Sequence, residues 1–223
     1  PIINANLYIT SNGARLFSPY RIIETDNGLR ILFIGLVTED VLDQCRQETM
    51  VGTFIDTREA AEEVARICNA YRPVDVDLTV LLTHIGIEED IKLARMLDPE
   101  LGVDMIIGGH SHTFMDQPIV ENGIIIAHAG TGTDWVGRFD LEIDNDSIAD
   151  WKWEFVPVNS ETAQPDEDLI RCVEKYKDVT DVKYHRLLTR FYTELTHPAR
   201  NQETALGNLI ADIFRETLEL DFM

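Results

Sequence analysis

With 223 residues, 44% of them hydrophobic, the chain can bury a substantial core as one large or two small domains. Asp and Glu number 40 against 19 Lys and Arg, a net charge of −21, which repels nucleic-acid backbones and anionic membranes and excludes a nucleic-acid polymer as partner over any broad surface. No apolar run reaches the roughly 20 residues needed for a membrane span, and no targeting segment is visible at the start.

The chain opens at Pro1, without Met, on a strand-like run from Ile2 to Tyr8, so upstream sequence is expected to have been removed. Asn27-Gly28 separates Tyr20 to Glu24 from Arg30 to Ile34, and Asn122-Gly123 separates Ile119 to Glu121 from Ile124 to Ala127. Asn-Gly between apolar runs predicts a hairpin with a type I′ turn, whose two central residues both need positive φ. A further turn at Asp144-Asn145-Asp146 joins Phe139 to Ile143 with Ala149 to Val156.

Helices are interspersed. Asp56 with Glu59 three residues on reads as a helix start, and Ala60, Val64, Ile67, Cys68 and Tyr71 share one face until Pro73 ends the run. Leu78 to Thr83 then has the apolar character of a strand covered on both faces. A helix from about Ile87 to Leu97 leads to a second buried strand, Val103 to Ile107. Strand, helix and strand at these lengths predict a βαβ unit with parallel strands in a mixed α/β sandwich. Residues 159–181 are polar and acidic around a helical stretch, Asp168 to Tyr176, and read as a connector. Thr204 to Leu218 is an amphipathic helix, and one helix with one strand-like stretch is too little for a domain, so the C-terminus is also expected to be incomplete. Cys45, Cys68 and Cys172 have no CxxC spacing and read as buried thiols.

The histidines carry the functional signal. Leu78 to Thr83 ends in His84, and Val103 to Ile107 ends in Gly108-Gly109-His110-Ser111-His112. Two strands of one βαβ unit thus deliver three imidazoles to the carboxyl edge of a sheet, where ligands gather in open α/β folds. Imidazole binds zinc, iron, nickel and similar ions, and a spacing of two along extended backbone would put His110 and His112 on one face. A two-metal centre also needs bridging and terminal carboxylates, and these must come from elsewhere. Divalent ions would also give an acidic protein the local positive charge that a phosphate-bearing substrate requires. His128, after the Ile124 to Ile126 strand, reads as a core or ligand-supporting residue, and His185 and His197 as solvated surface.

Thr83-His84-Ile85-Gly86 and Gly108-Gly109-His110-Ser111-His112 resemble the Ser/Thr-His-x-Gly and Gly-Gly-His-Ser-His motifs of the calcineurin-like metallophosphoesterases. The branch they resemble holds 5'-nucleotidases, UDP-sugar hydrolases and 2',3'-cyclic-nucleotide phosphodiesterases. Asn122-Gly123, Ala129-Gly130 and Gly137-Arg138-Phe139-Asp140-Leu141 continue the similarity in order. Pro1 to Gly35 resembles the segment after that family's Gly-Asn-His-Glu motif, and Glu203 to Asp212 the opening of its nucleoside-binding C-terminal domain.

The resemblance implies part of a four-layer αββα sandwich with mixed sheets over residues 1–158, an acidic helical connector over 159–183, and the start of a second α/β domain over 184–223. It implies hydrolysis of nucleotide phosphate esters with two divalent metals (Zn, Mn, Fe or similar), as in nucleotide catabolism, and, by analogy, an extracytoplasmic location. His84 and His110 would share one metal, and His112 would lie near the other. Asp-x-His, Gly-Asp and Gly-Asn-His-Glu motifs do not occur, so the chain is expected to need the missing N-terminal half of the catalytic domain and the rest of the C-terminal domain as partners. No catalytic residue is assigned within it. Two other readings stay open: a non-catalytic scaffold or binding module, and a lone structural zinc site formed by the three histidines.

Overall fold

The computed structural model describes residues 2–38, 52–187, 189–198 and 201–221. The chain divides into two compact units, Pro1–Gln164 and Pro165–Met223.

The first unit is built on a six-stranded sheet. Its strands are β2 (Tyr20–Glu24), β3 (Arg30–Val37), β5 (Leu78–His84), β6 (Met105–Gly108), β7 (Ile119–Glu121) and β8 (Ile124–His128), in the order β2-β3-β5-β6-β8-β7. The central four run parallel, and β2 and β7 close the edges antiparallel. A short β1 (Leu7–Ile9) pairs separately with β4 (Gly52–Phe54), so the apolar opening run yields only a three-residue strand.

Alternation along the central strands sends side chains to two different partners. Leu32, Ile34, Leu81, Ile106, Ile124 and Ile126 pack against α1 (Thr57–Tyr71) and α2 (Ile87–Met96). Ile31, Phe33, Val80, Met105 and Ile125 meet a long hairpin of β9 (Trp135–Asp144) and β10 (Ser147–Pro157) through Phe139, Leu141, Ile148 and Trp151. Gly137 lacks a side chain because the Trp153 indole lies over it, 2.2 Å from where a Cβ would be.

Local signals account for most element ends. The Asp56 carboxylate accepts from Glu59 N–H at 2.8 Å and starts α1. Asn122 and Gly123 have φ of 52° and 80°, and Asn145 and Asp146 have 49° and 57°, so both two-residue turns have the doubly positive φ of type I′. The Asn27-Gly28 hairpin departs from that expectation. Only Gly28 has positive φ there, and the loop runs from Thr25 to Leu29, closed by Gly28 N–H to Thr25 O and Thr25 N–H to Leu29 O, both 2.9 Å. A five-residue loop of this kind needs one glycine in the left-handed region rather than two such residues.

In the second unit, α3 spans Glu167–Tyr184 and α4 spans Ala205–Thr217. The first is about two and a half turns longer than the sequence suggested, with Asp166 capping its start. Cys68 is buried, whereas Cys172 is exposed on α3, against the expectation of a buried thiol; the helix holding it buries no residue. Cys45 lies outside the described residues. Among the described residues no helix is long and apolar enough to cross a membrane.

Candidate metal centre

Parallel pairing of β5 with β6, from Val80 opposite Met105 to Leu82 opposite Ile107, ends both strands at one edge. His84 is the last residue of β5, and His110 follows β6 by two. Their rings meet edge to face, with centroids 5.1 Å apart and planes at 70°. With metal–nitrogen bonds of about 2.0–2.1 Å at a tetrahedral angle, two imidazoles on one ion have centroids roughly 5 Å apart. The observed spacing fits such a pair. Partial desolvation, then the neighbouring His110 and His112, hold the His84 pKa below the usual histidine value, favouring the neutral ring that binds metals. His84 and His112 are exposed and His110 is half-buried, so the imidazoles are open to further ligands.

The loop bearing His110 and His112 is not extended. Both residues have positive φ, 76° and 54°, and Ser111 N–H donates to Gly109 O at 3.0 Å, closing a three-residue γ-turn of the strained hand around His110. The expectation that a spacing of two puts both rings on one face of a strand therefore fails, because β6 ends at Gly108 and the chain turns at once. Non-glycine residues held in this region cost about 1–3 kcal/mol each and cluster where function fixes a side chain. Ser111 helps hold the turn: its Oγ accepts from Ile87 N–H at 3.2 Å and lies 2.8 Å from Thr113 Oγ1. The hydroxyl thereby caps α2, whose own N-cap residue is Gly86.

Beneath this loop lies a polar cluster of which the sequence reading identified only one member. Asp90 in α2 is fully buried and His128 is 2% exposed. Thr83 Oγ1 donates to Asp90 Oδ1 at 2.6 Å, and His128 Nε2 stands 2.7 Å from Asp90 Oδ2. His128 thus serves the interior, as its strand position suggested. Asp90 was hidden in Glu88-Glu89-Asp90, which reads as a solvated acidic run, although it lies three residues after Ile87 and four before Ala94, in register with the buried face. His185 and His197 are both exposed; His185 faces Asp181 at 3.4 Å, and His197 Nδ1 is 2.7 Å from Thr204 Oγ1.

A 5'-nucleotidase from Vibrio cholerae is 32% identical over 187 residues, covering 71% of this chain and 33% of the relative. The trifunctional nucleotide phosphoesterase YfkN from Bacillus subtilis is 28% identical over 205 residues, 87% of this chain and 13% of that one. This chain is a homologue of the 5'-nucleotidases. The crystal structure of a 5'-nucleotidase precursor from Thermus thermophilus superposes with a TM-score of 0.82 over 97% of the chain and 46% of the other, at 24% identity, so this homologue has the fold of that group. No family model matches the chain. The homologue spans about a third of the length of the Vibrio 5'-nucleotidase it matches.

Among the described residues, no group of three or more His, Cys, Asp or Glu converges as a metal would require. The described residues thus bring His84 and His110 together at a spacing that one ion would accept, with His112 nearby.

Proposed function

We propose that the chain supplies part of the metal site of a two-metal phosphoesterase acting on nucleotide phosphate esters. The observation carrying this reading is the His84–His110 pair, spaced for one ion at the shared end of two parallel strands. His84 and His110 hold one metal and His112 stands by the second; the remaining ligands come from chain outside these residues. Divalent metals such as Zn, Mn or Fe, when bound, polarise the phosphoryl group and lower the pKa of an attacking water. In a chain of net charge −21, they also give an anionic substrate a positive point of attachment.

Leu82 and Ile107 are 38% and 36% exposed, on the sheet face that the β9–β10 hairpin covers only in part. An uncovered apolar strip beside the histidines supports a further layer closing there, as in an αββα sandwich. Residues 1–158 are then the later portion of the catalytic domain, 159–183 its connector, and 184–223 the opening of a nucleoside-binding domain. The homology to 5'-nucleotidases supports an extracytoplasmic location.

Phosphate release by the full-length protein, with Mn, Zn or Co and a panel of nucleoside monophosphates, cyclic nucleotides and UDP-sugars, tests the proposal. Metal-dependent release is expected, and none with any substrate overturns it. The open ligand set favours one other reading, a non-catalytic scaffold lacking the first half of the metal centre. Gene sequence upstream of Pro1 separates the two: Asp-x-His and Gly-Asn-His-Glu motifs there support the enzyme, and their absence the scaffold.

A further inference from the structure

Asp90 and His128 sit where a fold selected for stability alone would place apolar side chains. A buried polar pair is often no more stabilising than well-packed hydrophobic residues of similar volume. This one also leaves His128 Nδ1 buried and without a partner. Its contacts, by contrast, are directed at the metal centre. Through Oδ1, Asp90 holds the hydroxyl of Thr83, the residue before His84. Through Oδ2 it holds His128, which is paired in the sheet with Gly108, two residues before His110. Gly108 lies against both groups, since a Cβ there would stand 2.1 Å from His128 Nε2 and 2.2 Å from Asp90 Oδ2.

One carboxylate thus touches the ends of the three adjacent strands β5, β6 and β8. The helix that carries it is also the one capped by Ser111, between His110 and His112. Both histidine-bearing segments are therefore fastened to the first turn of α2, one through Thr83 and Asp90, the other through Gly108 and Ser111. Directional buried hydrogen bonds of this kind fix the relative placement of the groups that make them.

From this arrangement we infer that Asp90, His128 and Thr83 are positioning residues for the His84–His110 pair, holding the two imidazoles at the separation one divalent ion requires without touching the ion. The inference rests on the metal-site reading above. It predicts that loosening the cluster weakens metal binding by a folded protein, which a merely structural role would leave unchanged.

The test is Co2+ affinity, by titration against a chromophoric chelator, for the full-length protein and its His128→Leu, His128→Gln and Thr83→Val variants, each held below its own apo melting temperature. His128→Leu keeps bulk and removes the bond to Asp90, so affinity falls about tenfold, the lower end of what loss of an orienting partner costs. His128→Gln restores an N–H donor and stays within about threefold of wild type. Thr83→Val preserves shape, weakens binding about threefold, and decides the matter if His128→Leu fails to fold. Wild-type affinity in folded His128→Leu or Thr83→Val, or a His128→Gln variant as weak as His128→Leu, overturns the inference while leaving the metal site intact. Wild-type protein that takes up no cobalt overturns the metal reading itself, and this inference with it.

Discussion

Replacing Gly108 by Ala forces the closest approach that a new Cβ would make at any glycine among the described residues. The new methyl carbon would lie 2.1 Å from His128 Nε2, 2.2 Å from Asp90 Oδ2 and 2.7 Å from His128 Cε1, each well inside contact distance. Neither neighbour is the loose end of a surface chain, since Asp90 is fully buried and His128 nearly so. If the backbone gives way, the cost is that of overpacking, about 1–3 kcal/mol. If the pair parts instead, the buried His128–Asp90 hydrogen bond is lost and its groups are left without partners, at about 1–3 kcal/mol or more. A loss near 3 kcal/mol is expected, a fall in Tm of roughly 6–12 °C for a domain of this size. Gly86→Ala is the natural comparison. Its nearest neighbour would be 3.6 Å away, but its φ is 89° and its ψ 156°, so the penalty is conformational alone and comes to about 1–3 kcal/mol. Urea and thermal melts of both variants in the full-length protein give the two numbers. A Gly108→Ala protein melting within about 2 °C of wild type, or one less damaged than Gly86→Ala, would refute the packing argument.

Asp104 predicts a pH dependence. Burial, partly offset by the Thr79 N–H bond to its carboxylate, raises its pKa from 3.8 to about 6. The folded state therefore binds this proton more tightly than the unfolded chain does, and its cost is fully present above pH 6 and relieved as pH falls toward 4. At about 1.36 kcal/mol per pH unit that cost reaches roughly 3 kcal/mol. Asp104→Asn should thus be more stable than wild type in urea melts at pH 7.5 and no more stable at pH 4; no gain at pH 7.5 would contradict the sign. Asn122 donates to Ala94 O at 2.9 Å and Leu97 O at 2.7 Å, at the end of α2. Asn122→Gly keeps the turn and loses both bonds, costing about 1–2 kcal/mol, whereas Asn122→Ala adds about 1 kcal/mol for its positive φ; equal melts for the two would show that the turn adds nothing. His84→Ala should reduce Co2+ affinity in calorimetric titration by at least the roughly 100-fold that loss of an orienting partner can reach, and an unchanged titration would remove His84 from the ligand set.

The parallel sheet and its helices were legible because their signals are local and repeated. Apolar runs at Leu78 to Thr83 and Val103 to Ile107, with an amphipathic stretch between them, leave few other arrangements, and β5, α2 and β6 form in that order. Asn122-Gly123 gave its turn because only two residues join β7 to β8. Asn27-Gly28 did not, since nothing local to that dipeptide fixes where the pairing of β2 with β3 stops. The meeting of His84 with His110 at a sheet edge was legible, because it follows from strand direction. The γ-turn at His110 was not, because backbone in a sparsely populated region is imposed by tertiary contacts such as the Ser111 hydroxyl on α2. Asp90 escaped for a related reason: its burial depends on a hydroxyl and an imidazole contributed by two strands distant in sequence.

The left-handed backbone at His110 and His112 sets this loop against the rest of the molecule. Glycine or asparagine would rest more easily at either position, so relaxation of the chain and retention of the imidazoles favour opposite residues. Stabilising changes selected by heat alone would be drawn to these two positions and would discard the imidazoles there. A hardened variant would therefore keep its whole fold and lose the side chains on which the proposed metal centre rests, through a substitution that every measure of folding scores as an improvement.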